Sequence, residues 1–181
     1  MSEAMDNIKQ WAEEMTEYDP VLWDMLPQIY LYMDQVITYM EGHLKPFEAE
    51  DGTKLLTSSM INNYVKDNVL PRPEQKRYSP EHLAILTVIC MLKPVLSIPN
   101  ISYLIHQQLH RYNKGRLYNM FCKTQASALK EVCERVADMS SRSENEMTRL
   151  AVELSMEANA RRIAAEKIVH TLSAGKQEQK K

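Results

Sequence analysis

Residues 56–79, LTSSMINNYVKDNVLPRPEQKRYS, constrain the fold of this chain more than any other stretch. Thr57 or Ser58 offers a hydroxyl that can satisfy the free amides of a first helical turn. Met60, Ile61 and Tyr64, with Val65 beside them, then share one face of a short helix. Asn68 stands where that helix must end in the left-handed conformation, and after glycine, asparagine is the usual residue there. Val69 and Leu70 return the chain to the core. Pro71 and Pro73 forbid further helix, so Arg72 to Tyr78 must form a turn or a short two-stranded ribbon. Ser79–Pro80–Glu81 starts a second helix: an N-cap, a proline at the first helical position, and an acid near the positive end of the dipole.

The flanking segments read as helices as well. Ile8, Trp11, Ala12 and Met15 recur at helical spacing until Asp19–Pro20 ends the run. Leu31, Met33, Val36, Ile37 and Met40 form another stripe, closing at Glu41–Gly42. Leu83, Leu86, Ile89, Cys90 and Leu92, with Val88, make the helix after Pro80 apolar over most of its surface, which predicts a central core helix stopped by Pro94. Ile101, Leu104, Ile105 and Leu109 define the next. After Gly115 two long amphipathic helices are expected, separated near residues 140–145, where Ser143 and Glu146 match a capping box. The second carries a stripe over residues 147–172 that, with 117–139, is a candidate dimer seam. The last eight residues, 174–181, are expected to be a disordered tail.

The net charge of −2 conceals an asymmetry. Residues 1–51 hold two basic residues against twelve acidic ones, whereas residues 54–123 hold ten basic against three acidic. A basic middle inside an acidic frame is compatible with a polyanionic partner. Three cysteines, Cys90, Cys122 and Cys133, cannot all pair, and a cytoplasmic location is the simplest expectation. Glu3, Asp6, Glu13 and Glu14 occupy the place where a signal peptide would carry basic and then apolar residues, and no apolar run is long enough for a membrane span.

The order of helix, basic turn and helix reads as the second helix and wing of a winged helix-turn-helix, and residues 57–109 resemble the MerR-type winged helix. Ile61, Tyr64, Lys66, Val69, Leu70 and Pro71 fall in register with that family's second helix, and Arg77–Tyr78–Ser79 resembles its wing closure. More narrowly, residues 25–110 resemble a small bacterial family of unknown function, numbered 1836, built around the same core. Asn62 and Asn63 replace that core's polar–aromatic pair, Asn68 replaces its glycine, and Glu48, Glu50 and Asp51 form an acidic insertion. The resemblance implies a mainly α fold with a short β wing, and it implies binding of double-stranded DNA. The second helix of such a fold enters the major groove with its N-terminal turn foremost. Thr57, Ser58, Ser59, Asn62, Asn63, Tyr64 and Lys66 on that helix are the candidate contacts. Arg72, Gln75, Lys76, Arg77 and Tyr78 on the wing complete them. Asparagine suits adenine, and hydroxyls and cations suit phosphates. For both tyrosines the alternative is a core ring with a wet hydroxyl.

Other chemistry finds little support. His106 and His110 have the spacing of a metal pair but no evident third ligand, and Cys122 and Cys133 share a helical face without a sensor motif. No nucleophile–base arrangement, glycine-rich phosphate loop or paired-carboxylate cleft is present, so neither enzyme activity nor a cofactor is expected. The expected organisation is an N-terminal helical segment (1–24), a MerR-like winged helix-turn-helix domain (25–115), a helical extension for dimerisation (116–173) and the tail. The expected function is sequence-specific transcriptional regulation by a homodimer, as a repressor because no activation segment is visible. The competing reading is a non-enzymatic adaptor that keeps the fold and binds a protein.

Overall fold

The computed structural model describes residues 2–48 and 52–178. Among them are seven α-helices: α1 (Glu3–Thr16), α2 (Met33–Leu44), α3 (Ser58–Lys66), α4 (Pro80–Leu92), α5 (Ile98–Leu109), α6 (Lys114–Ser140) and α7 (Glu144–Glu178). Two 3₁₀ turns, Trp23–Met25 and Lys45–Phe47, punctuate the first half. No helix among the described residues is long and apolar enough to cross a membrane.

The contacts divide the chain into two compact units, one of residues 1–20 with 121–164, the other of residues 21–120 with 165–181. The divisions at 120/121 and 164/165 fall inside α6 and α7, where no linker composition could signal them.

In the first unit α1 buries Met5, Ala12 and Met15, while Trp11 on its other face is exposed. Cys122, Cys133 and Val136 of α6 and Leu150 of α7 supply the remaining buried apolar residues. The break between α6 and α7 has the expected capping box: Ser143 Oγ accepts from the Glu146 amide at 3.3 Å, and Glu146 Oε2 accepts from the Ser143 amide at 3.2 Å. A two-pronged ion pair joins the helices, with Arg135 Nη1 and Nη2 each 3.0 Å from the Glu157 carboxylate.

In the second unit α4 is the hub. It buries eight of its thirteen residues, with Leu83, Leu86, Thr87 and Ile89 fully enclosed, as its nearly all-apolar sequence requires. α2 packs on both α3 and α4, and α5 packs on α4. Val36, Met40 and Leu44 of α2, Ile61 and Tyr64 of α3, and Ile101 and Ile105 of α5 are buried with it. Gly115 lies against Trp23: a Cβ there would stand 3.0 Å from the indole ring, so the close approach of α6 to this ring depends on glycine.

Three expectations need correction. Leu31 does not begin α2. It is extended and forms an isolated antiparallel bridge with Tyr78, while α2 starts at Met33 and runs past Gly42 to Leu44. No β wing forms either: among the described residues there is no strand, only the bridges Leu31–Tyr78 and Glu74–Arg77. Pro71 and Pro73 lack donors, and Tyr78 turns away to pair with Leu31, so one bridge is all that the ribbon can hold. Finally, α7 continues to Glu178, so part of the segment expected as a tail is helix; Lys, Gln and Glu sustain helices well. Residues 179–181, like Glu50 and Asp51 of the acidic insertion, lie outside the described residues.

Candidate nucleic-acid interface

Helix α3 is short, and its two ends are fixed by local chemistry. Thr57 Oγ1 accepts from the Met60 amide at 3.3 Å, which decides between the two candidate caps. At the other end Asn68 has φ 55°, the Val69 amide donates to Tyr64 O at 2.9 Å, and the Asn68 amide donates to Val65 O at 3.2 Å. This is a Schellman ending with asparagine in the left-handed position. Asn68→Val is expected to lose about 1–2 kcal/mol, because a β-branched residue is strained there, whereas Asn68→Gly should hold or gain stability. Urea unfolding of both variants decides it, and equal midpoints would refute the strain.

The helix is sharply two-sided. Ile61 and Tyr64 are buried, whereas Ser58, Ser59, Asn62, Asn63 and Lys66 are all exposed. These five positions follow the i, i+1, i+4, i+5, i+8 rule of one helical face. They present hydroxyls, amides and one cation, with no apolar residue among them. The N-terminal turn adds unpaired backbone donors to the same end.

The segment between α3 and α4 closes through a two-residue turn. Gln75 and Lys76 have φ of 49° and 62°, and the Arg77 amide donates to Glu74 O at 2.9 Å. Two successive positive φ values define a type I′ turn, which lifts Gln75 and Lys76 clear of the protein. Arg72 is exposed as well, and Arg77 is half-buried, donating from Nη2 to Gln75 Oε1 at 3.0 Å.

Tyr64 and Tyr78 do not join this surface. Both rings are buried, 4% and 3% exposed, and the Tyr64 hydroxyl is sealed without a hydrogen-bond partner. Burial also raises both phenol pKa values above their ordinary value, with Cys90 adding to the shift at Tyr64. The residues that precede each tyrosine face outward, so a one-residue difference in facing decides their fate. Tyr64→Phe removes a desolvated hydroxyl that nothing satisfies and is expected to raise stability by up to about 1–2 kcal/mol without touching nucleic-acid binding. A fall in the urea midpoint, or loss of duplex binding, would restore a working role to that hydroxyl.

One organising residue was missed in the sequence. His82, in the first turn of α4, is buried at 6% exposure and ties both ends of the turn together. The Ser79 amide donates to His82 Nδ1 at 3.0 Å, which fixes Nδ1 as the acceptor and leaves Nε2–H to donate to Pro71 O at 3.2 Å. The available signal was its place three residues after the N-cap Ser79, where a capping box usually carries Glu or Gln. Burial lowers the His82 pKa below its ordinary value, outweighing the Pro71 carbonyl and the Glu81 carboxylate, which favour the cation. His43, stacked on Tyr39 at 5.6 Å, is lowered by burial too.

The sign of the pH effect follows. With folded pKa values below the ordinary histidine value, the unfolded chain takes up protons first as pH falls. The stability these neutral rings contribute is complete above about pH 6.5 and is lost on acidification through the folded values. The urea midpoint should therefore drop between about pH 7.5 and about pH 5, and less steeply in His43→Phe. A flat profile would contradict the buried neutral histidines.

The other candidates come to little. His106 Nε2 lies 3.4 Å from Asn68 O, a helix-end contact. The three cysteines are buried thiols, none of them in a disulfide. Glu13, Glu17, Glu134 and Asp138 line a cleft of about 460 Å³ in the first unit, but among the described residues no group of three His, Cys, Asp or Glu is placed to hold a metal.

Residues 21–122 match the family described as Domain of unknown function (DUF1836). The chain belongs to that family. The DUF1836 match begins before the 3₁₀ turn at Trp23, ends in α6 at Cys122, and so contains α2 to α5 and every residue of the candidate interface. It extends four residues before and twelve residues beyond the resemblance read over residues 25–110. No curated protein and no solved structure matches the chain.

Proposed function

We infer that this DUF1836 protein is a sequence-specific DNA-binding regulator built on a MerR-like winged helix-turn-helix, acting as a homodimeric repressor. The observation that carries the reading is the exposed polar face of α3, Ser58, Ser59, Asn62, Asn63 and Lys66, beside a basic turn that projects Gln75 and Lys76. On this reading α2 and α3 are the helix-turn-helix pair, α3 enters the major groove, and the 72–77 turn is a reduced wing. Asn62 and Asn63 read bases, and Arg72, Lys76 and Arg77 neutralise phosphates. α7 supports dimerisation: Val152, Met156 and Ile163 recur at helical spacing and are all exposed.

The test is selection from a random duplex pool, followed by titration of the winner at several salt concentrations. A palindromic winner whose log–log salt slope is steeper than about −4 establishes a dimeric regulator. No enrichment over weak, unselective binding favours the adaptor, for which the exposed apolar residues of α7 would be the docking face.

A further inference from the structure

The exposed segment before α2 was silent in the sequence, yet the structure makes it part of the turn's surface. The Leu31 amide donates to Tyr78 O at 2.9 Å and the Tyr78 amide donates to Leu31 O at 2.8 Å, a complete antiparallel bridge pair. Side chains alternate about such a bridge. Leu31 and Tyr78 point inward and are buried, so Tyr30, Tyr32 and Arg77 share the opposite, outward face. Tyr30 and Tyr32 are 52% and 55% exposed, and Ile29 beside them is 64% exposed. The Arg77 guanidinium lies over the Tyr30 ring, 5.7 Å from its centroid, within range of a cation–π contact. An arginine free to sample many rotamers loses that freedom when it binds. Here the ring has already restricted it.

We propose that Ile29–Tyr32 is a second contact element of the DNA surface, in which Tyr30 holds the Arg77 guanidinium against its face for a backbone phosphate and Tyr32 presents its hydroxyl beside it. The occupant is duplex DNA. The turn next to this face carries Arg72, Lys76 and Arg77 against the single acid Glu74, a balance that suits a polyanion. Tyrosine hydroxyls are phosphate donors, and the exposed ring edges can rest on deoxyribose. Tyr30 is thus a positioning residue that acts through Arg77. The proposal rests on the DNA-binding reading above and adds to it an element outside the helix-turn-helix pair.

The experiment uses the full chain and a fluorescent mixed-sequence duplex, titrated over a series of salt concentrations. Arg77→Ala should make the log–log salt slope shallower by about one. Tyr30→Ala should do the same, and the double variant should lose no more than either single one, because the two side chains act as one contact. Tyr30→Phe keeps the ring and should keep the slope. Tyr32→Phe should weaken binding without changing the slope. Tyr30 is exposed, so Tyr30→Ala should leave the urea midpoint in place, which separates a lost contact from a lost fold. The proposal is overturned if Arg77→Ala flattens the slope while Tyr30→Ala retains it; the DNA-binding reading then survives, and the aromatic face becomes a candidate for a protein partner. Wild-type protein that shows no salt-dependent duplex binding overturns both.

Discussion

Replacing Lys76 and Arg77 together with alanine should weaken binding to every duplex and flatten its salt dependence by about two units. Positive φ at Gln75 and Lys76 lifts the tip of the turn away from the core. Arg77 touches Gln75 and Tyr30, and Lys76 is exposed. Each cation that neutralises a phosphate releases counterions, and the slope counts them. Because phosphates carry no sequence information, the loss should be uniform across sequences. Asn62→Ala and Asn63→Ala should behave differently, relaxing the preference at particular base pairs by about 1–3 kcal/mol while leaving the slope alone. A double variant with an unchanged slope would remove the turn from the interface. All four substitutions silent toward DNA would instead support the adaptor.

Leu86→Ala should cost about 2–5 kcal/mol of stability, the largest single loss expected in the DUF1836 region. Leu86 is fully enclosed, and so are Leu83 and Ile89 on the same helix. Cavities are costly where the surroundings cannot collapse, and α4 is held by α2 on one side and α5 on another. The consequence reaches the interface, since α3 rests on α2 and α2 rests on α4. Leu172→Ala, at a site 56% exposed, is the matched control and should change stability by no more than about 0.5 kcal/mol. Urea unfolding measures both. A Leu86→Ala loss below about 1 kcal/mol would mean that α4 is not the hub its burial indicates.

The helices and several of their ends were legible because their causes are local. A hydroxyl before Met60, an asparagine at φ 55°, a proline opening α4 and the Ser143–Glu146 box each act within a few residues, so the chain displays them in order. The polar face of α3 was legible for the same reason, since a helical period assigns Ser58, Ser59, Asn62, Asn63 and Lys66 to the side away from Ile61. Tyr64 and Tyr78 failed as contacts because a tyrosine is amphipathic: its type permits a core ring or a surface hydroxyl, and only the packed neighbours choose.

What the sequence determined by itself, then, is the set of helices, several of their caps, a non-helical break over Arg72–Tyr78, and the one-sidedness of α3. Pairing across long separations was left to the tertiary structure. Leu31 looked like the start of a helical stripe until Tyr78, forty-seven positions later, took both of its backbone hydrogen bonds. His82 looked like one more helix residue until Pro71 and Ser79 closed around it. Tyr30 acquired a role only when that bridge brought it under Arg77. The physical reason is common to all three: backbone donors and ring faces are present in every sequence, and their partners are set by which segments the core brings together.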